Sequence, residues 1–363
     1  MKKNILIIDD SALMRRVMSD IISNDDRFTV SDIAINGLEA LELMNKNPRK
    51  YDALLLDINM PKMNGLELLE QMKQSRISTR VIIVSTVAKQ GAKETIRALE
   101  LGAFDFVTKP DSFIDATGDG FRDSIISCLL AATKMDSVTQ TIVNKPTMKQ
   151  PEKIVFEKKV YRPVKNATKL VAIACSTGGP RALQSVIPML SGKLDAAVLI
   201  VQHMPEGFTN SLAMRLNELS KLEVKEAEDG DIPRKGVVYI AKGGSQMKLV
   251  QDKSGLFKLS VQKEEPRNGL RPCADIMYES LVSSNYDEIT CVVLTGMGGD
   301  GTQGIKKLSE QKNTYVIAQN NETSTVYGMP KVIFESGLVD EVLPLNDIFA
   351  AIIKNVGVQE HGC

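Results

Sequence analysis

Apolar residues gather along this chain in short continuous runs, and most runs stop abruptly at a polar or glycine-rich turn. Asn4-Ile5-Leu6-Ile7-Ile8 ends in Asp9-Asp10, Ala53-Leu54-Leu55-Leu56 in Asp57, Val81-Ile82-Ile83-Val84 in Ser85-Thr86, and Phe104-Asp105-Phe106-Val107 in Thr108-Lys109-Pro110. Runs this short, without polar alternation, suit strands buried on both faces in a parallel sheet covered by helices. From residue 167 the pattern resumes, predicting strands over 170–174, 197–201, 237–241, 290–295 and 314–318. Helices are predicted over 181–189, 208–219, 273–283, 302–312 and 345–354, and residues 246–250 and 257–261 read as an antiparallel hairpin about a turn at 252–255. The whole is an α/β chain of two doubly wound parallel-sheet domains, 1–134 and 167–358, the second Rossmann-like with an added hairpin.

Between them periodicity fades. Residues 135–166 hold seven Lys or Arg against three Asp or Glu, with Pro146, Pro151 and Pro163 blocking helix continuation, and read as a solvated, partly extended linker. Phe156 and Tyr161 are its only aromatic residues, too few for a nucleic-acid stacking platform.

Composition narrows the function classes. Of 363 residues, 43% are hydrophobic and 25% charged, with no apolar stretch of about 18 residues to span a bilayer. Met1-Lys2-Lys3-Asn4 enters a strand at once, so no signal peptide is expected; the expected location is cytoplasmic, without membrane insertion. Five scattered cysteines (Cys128, Cys175, Cys273, Cys291, Cys363) lack metal spacing and read as reduced thiols. Formal charge is zero, and residues 167–363 carry 20 basic against 23 acidic residues, which disfavours a nucleic-acid-binding output.

The strand ends carry the chemistry. Asp9, Asp10 and Asp57 converge on one sheet edge and would repel unless a divalent cation held them; an all-oxygen set suits Mg²⁺. Ser85 and Lys109 add a hydroxyl and an ammonium, a set suited to forming an acyl phosphate. Residues 1–134 resemble a two-component receiver domain, flavodoxin-like in fold. The resemblance implies Asp57 as phosphoacceptor, Asp10, Asp57 and the Asn59 carbonyl as Mg²⁺ ligands, Asp9 as support, Ser85 as switch hydroxyl and Lys109 as phosphate contact. Phe106 stands where receivers commonly carry Tyr.

In the second half Leu170-Val171-Ala172-Ile173-Ala174 runs into Cys175-Ser176-Thr177-Gly178-Gly179-Pro180. Ser176 at that edge is a candidate nucleophile, with turn amides aimed at developing negative charge, although Ser176 and Thr177 would equally suit helix capping. Cys175, its neighbour, should face the other way and pack. Ala197–Val201 ends in Gln202-His203-Met204-Pro205, and the only other histidine, His361, lies in the tail. Thr290–Thr295 leads into Gly296-Met297-Gly298-Gly299-Asp300-Gly301-Thr302, placing Asp300 where it could accept the second N–H of His203. Nucleophile, base and orienter from three strand ends outweigh capping. A rival remains: Gly296, Gly298 and Gly301, with Glu322 about 20 residues on, match a dinucleotide fingerprint. Against it, Asp300 would put a carboxylate among amides meant for pyrophosphate, and Ser176 and His203 would be idle.

These three stretches behind a receiver resemble the chemotaxis response-regulator protein-glutamate methylesterase family, over nearly the whole chain except the linker. The resemblance implies hydrolysis of glutamate methyl esters on methylated chemoreceptors to carboxylate and methanol, with deamidation of receptor glutamines. It implies control by phosphorylation from a chemotaxis histidine kinase, a Ser176–His203–Asp300 triad with no cofactor at the esterase step, and the Met297 amide as oxyanion donor beside Thr177. Lys242 and Gln246 replace a proline and a histidine common in the family, and Cys273 a common serine; Asp231 and Arg271-Pro272 match without an assigned role.

Overall fold

The apolar runs become the central strands of two sheets. The structure is a computed structural model describing residues 2–110, 118–134, 161, 163, 164 and 167–359. Residues 135–160 of the expected linker, Phe156 among them, lie outside the described residues, as do His361 and Cys363. The chain divides between residues 149 and 150 into two compact units.

The first unit alternates β1 (Lys3–Ile8), α1 (Ala12–Ser23), β2 (Phe28–Ala34), α2 (Gly37–Lys46), β3 (Ala53–Leu56), α3 (Gly65–Gln74), β4 (Arg80–Ser85), α4 (Lys89–Leu101), β5 (Asp105–Thr108) and α5 (Asp119–Lys134). Its strands are parallel in the order β2-β1-β3-β4-β5. Ile5 to Ile8, Leu54 to Leu56 and Ile82 to Val84 are fully buried, each side chain contributing roughly 1.5–3 kcal/mol relative to exposure. Helices begin on polar caps: Ser11 for α1, Asn36 for α2, and for α3 Asn64 in a reciprocal capping box with Glu67. The chain reverses direction across the sheet between β1 and β3, where ligands of such sheets bind. There the Asp57 N–H donates to the Ile8 carbonyl at 2.8 Å, setting Asp57 beside Asp9.

The second unit comprises β6 (Lys169–Cys175), α6 (Gly179–Val186), β7 (Ala197–Gln202), α7 (Phe208–Leu219), β8 (Glu223–Glu226), β9 (Val237–Ile240), β10 (Gln246–Gln251), β11 (Phe257–Gln262), α8 (Ala274–Ser280), β12 (Glu288–Val293), α9 (Thr302–Gln311), β13 (Asn313–Gln319), α10 (Met329–Glu335), β14 (Glu341–Leu343) and α11 (Leu345–Val356). Seven strands run parallel in the order β14-β13-β12-β6-β7-β9-β8, and β10 and β11 form the separate antiparallel hairpin. Leu170, Ala172 and Ala174 of β6, with Leu199, Val201 and Val293, pack under α8, α9, α10 and the hairpin. Val171, Ile173 and Cys175 alternate to the other face, where α6 and α11 pack against each other. Strand β6 is the switch point, with β7 on one side and β12 on the other.

The differences from expectation lie at edges and ends. Strands β2, β8 and β14 and helices α1 to α4 and α10 have no counterpart in the predicted elements. Edge strands face solvent on one side and carry charges that break an apolar run, as Glu223, Lys225 and Glu226 do in β8. Helix α6 starts at Gly179, with Pro180 in its first turn, and tightens to a 3₁₀ turn at Ile187–Met189 around Pro188. The 273–283 helix is likewise α8 followed by a 3₁₀ turn, Leu281–Ser283. Strand β12 stops at Val293, because the Thr295 N–H turns to Gln319 Oε1 at 2.8 Å. Tyr161, within the expected linker, donates to Glu288 Oε2 at 2.8 Å and packs edge-on against Tyr315, so packing of the second unit reaches back to that residue. Among the described residues no helix is long and apolar enough to cross a membrane.

Candidate functional site

At the edge of the first sheet, ligand oxygens of Asp9, Asp10 and Asp57 lie within 4.8 Å of one another. Asp9 and Asp57 are buried and Asp10 is exposed. Lys109 Nζ reaches between the two buried acids, 2.8 Å from Asp9 Oδ2 and 2.9 Å from Asp57 Oδ2. Burial disfavours the charged amine, but Asp57 and Asp9 outweigh it and hold the Lys109 pKa above its ordinary value. Burial, with the charge of Asp9, holds the Asp57 carboxyl above its ordinary value against the pull of Lys109 and the Ile58 amide. One lysine among three carboxylates leaves excess negative charge on an all-oxygen set, which fits a hard divalent cation. Ser85 is buried, and its hydroxyl donates to the Gly91 carbonyl at 3.3 Å, so it would have to turn to meet a phosphoryl group on Asp57. The Asn59 side chain is held by Glu94 Oε2 at 3.0 Å.

At the edge of the second sheet three neighbouring strand ends meet. Beyond the Cys175–Gln202 pair, the His203 N–H donates to the Cys175 carbonyl at 3.1 Å, and the Ser176 N–H to the Thr295 carbonyl at 3.0 Å. Ser176 is thereby held between the ends of β7 and β12. Ser176 and His203 continue the even and odd positions that face α8, so both project on that side of the sheet. Gly178, at φ +76°, lets the turn close with the Gly179 N–H on the Ser176 carbonyl at 2.7 Å. Gly296 approaches closely enough that a Cβ there would lie 2.8 Å from the Ser176 Cβ.

Asp300 Oδ2 is 2.7 Å from His203 Nε2. Nε2–H therefore donates to the carboxylate, leaving Nδ1 as the basic nitrogen. Asp300 also accepts from the backbone N–H groups of Ala274 (2.6 Å), Asp275 (3.0 Å) and Gly301 (2.9 Å) and from Cys273 Sγ–H (3.2 Å). Burial would raise its pKa, but the His203 hydrogen bond and charge, with the α8 amides, bring it down to about 2. The carboxylate stays ionised and can stabilise an imidazolium. Among the described residues Ser176 Oγ has no hydrogen-bond partner. The dinucleotide alternative loses ground here, because the Gly301 amide it needs is occupied by Asp300.

Thr177 follows Ser176 in the turn, its carbonyl accepting the Thr295 hydroxyl at 2.9 Å; Met297 lies on the facing glycine loop, exposed. Cys175 is fully buried, its thiol pKa pushed up by burial, which fits packing rather than attack. Two departures acquire partners. Gln246 Oε1 accepts the Cys273 N–H at 2.9 Å while its Nε2 donates to the Leu270 carbonyl at 3.0 Å, fixing the loop that delivers the Cys273 thiol to Asp300. Nothing in the structure explains Lys242. Asp231 pairs with Lys225 at 2.9 Å, and the Arg271–Pro272 peptide is cis. Sequence reasoning assigned no role to Thr295, Gln246 or Gln202, whose partners are mostly backbone atoms that leave no spacing signal.

Residues 171–352 match the CheB methylesterase family and residues 5–115 the response regulator receiver domain. A protein-glutamate methylesterase/protein-glutamine glutaminase of Geobacillus kaustophilus is 41% identical, covering 97% of this chain and 98% of its own length. The protein of that name from Bacillus subtilis is 38% identical, with coverage of 97% and 98%. The crystal structure of the Thermotoga maritima CheB methylesterase catalytic domain is 41% identical over 53% of this chain and 99% of its own, with a TM-score of 0.49. The chain belongs to the CheB methylesterase family, with a response regulator receiver domain at its amino-terminal end.

Proposed function

We propose that this chain is a phosphorylation-regulated serine esterase that hydrolyses glutamate methyl esters on chemoreceptors and deamidates receptor glutamines. The observation that carries the chemistry is the His203–Asp300 hydrogen bond, with Ser176 and His203 just past the ends of the paired strands β6 and β7. Ser176 Oγ adds to the ester carbonyl as His203 Nδ1 takes its proton. Nε2–H stays on Asp300, which supports the imidazolium. The C–O bond breaks and methanol leaves with the proton from Nδ1. Water then attacks the acyl-serine, with Nδ1 again as base, releasing the glutamate carboxylate. With glutamine the leaving group is ammonia. The amides of Met297 and Thr177 flank the carbonyl as oxyanion donors. This step draws on side chains and amides alone, with no cofactor.

At the receiver edge Asp57 accepts the phosphoryl group from a histidine kinase. Mg²⁺, held by Asp10, Asp57 and the Asn59 carbonyl with Asp9 in support, would offset phosphoryl charge. Lys109 exchanges its contact with Asp57 for the phosphoryl oxygens, and Ser85 turns from Gly91 toward them. A cytoplasmic site of action fits both partners. The test is methanol release from methylated receptor membranes: wild type releases methanol and Ser176→Ala does not. Undiminished release by Ser176→Ala would refute the reading.

A further inference from the structure

Gln202, the last residue of β7, has a side chain buried to 2% exposure between the nucleophile turn and the base. Its Nε2 donates to the Ser176 carbonyl at 3.0 Å and the His203 carbonyl at 3.2 Å, bridging the two residues whose spacing decides proton transfer. Its Oε1 is buried with no hydrogen-bond partner and sits 1.9 Å from where a Cβ on Gly179 would be. The network sets the amide's orientation, since turning it over would aim Oε1 at two carbonyl oxygens. A buried amide with an unpaired acceptor is unfavourable for folding, and an apolar side chain would avoid that penalty. We infer that Gln202 is a positioning residue: it clasps the Ser176 turn to the His203 loop and sets the distance over which Nδ1 takes the serine proton. Gly179 is then the residue that makes room for the clasp. The inference rests on the proposed roles of Ser176 and His203.

The test uses the full chain with Gln202→Met, which keeps length but removes the donor, and Gln202→Glu, which places a carboxylate against the two carbonyls. Three quantities are read: kcat and KM for methyl-ester hydrolysis, the rate of Ser176 modification by a fluorophosphonate, and Tm. Both substitutions should lower kcat and the modification rate about 10–100-fold, with KM changed less than about threefold. Gln202→Met relieves the unpaired Oε1 but takes the donor from the His203 carbonyl, so Tm should shift by no more than a few degrees. In a Ser176→Ala background Gln202→Met should bring no further loss of residual turnover. Gly179→Ala, which must push Oε1 aside, should reproduce the kcat loss and decides the matter if Gln202→Met does not fold. Wild-type kcat and modification rate in a folded variant, or a kcat loss accounted for by unfolded protein, would overturn the inference. Full activity of Ser176→Ala would instead remove the reading beneath it.

Discussion

At one sheet edge Asp57 shares a single lysine with Asp9 while Asp10 stands exposed beside them; at the other, Asp300 accepts five hydrogen bonds, including that of His203. Both edges belong to doubly wound parallel sheets, and both use the strand ends around the switch point. Their carboxylates are nevertheless suited to opposite work. Crowded acids with one counter-charge keep oxygen atoms available for a cation and for nucleophilic attack. A carboxylate whose oxygens are saturated by donors is fixed in place and ionised, suited to orienting a histidine and poorly suited to attacking anything. The surroundings of the acid, more than the fold, separate the two chemistries.

That contrast is broken most severely by Asp300→Asn. The amide would turn Nδ2 either toward the Asp275 and Gly301 N–H groups or toward Ala274 and His203, and every one of these is a donor. If it faces His203, the imidazole must present a lone pair to it and Nδ1 carries the proton, the wrong tautomer for taking one from Ser176. A kcat loss of about 10³–10⁴-fold is expected, with phosphorylation of Asp57 unaffected. Esterase assays beside receiver labelling check both halves of this statement.

A smaller effect follows from pH. The Asp300 carboxyl falls from its ordinary 3.8 to about 2 on folding. A lowered carboxyl pKa means the folded state binds fewer protons, so its stabilisation is complete above about pH 4 and is lost as pH falls toward 2. Denaturant titrations across this window should show a loss that Asp300→Asn removes. An identical loss in the variant would assign it to other groups.

The central strands and the residues at their ends were readable because a strand buried on both faces leaves an unbroken apolar run, and the first polar residue after it stands at the sheet edge. That logic placed Asp9, Asp57, Lys109, Ser176 and His203 without coordinates. Asp300 was less directly marked, since it lies seven positions beyond the end of β12. Strands β2, β8 and β14 escaped because edges tolerate charge. The support of the site was invisible for a different reason. Gln202 and Thr295 act on backbone carbonyls, and Cys273 reaches Asp300 from a loop that Gln246 holds; no spacing in the sequence encodes such pairings.

Two labels on one chain test the central claim most directly. A small phosphodonor with Mg²⁺ should place a hydroxylamine-labile, acid-labile group on Asp57, absent from Asp57→Asn, while a fluorophosphonate should modify Ser176 stably and fail to do so in Ser176→Ala or His203→Ala. Peptide mass spectrometry of the doubly treated protein should find both modifications on the same molecule, each at its own edge. Fluorophosphonate on another residue such as Cys175, or phosphodonor label persisting in Asp57→Asn, would contradict the assignment of two chemistries to two differently surrounded sheet edges.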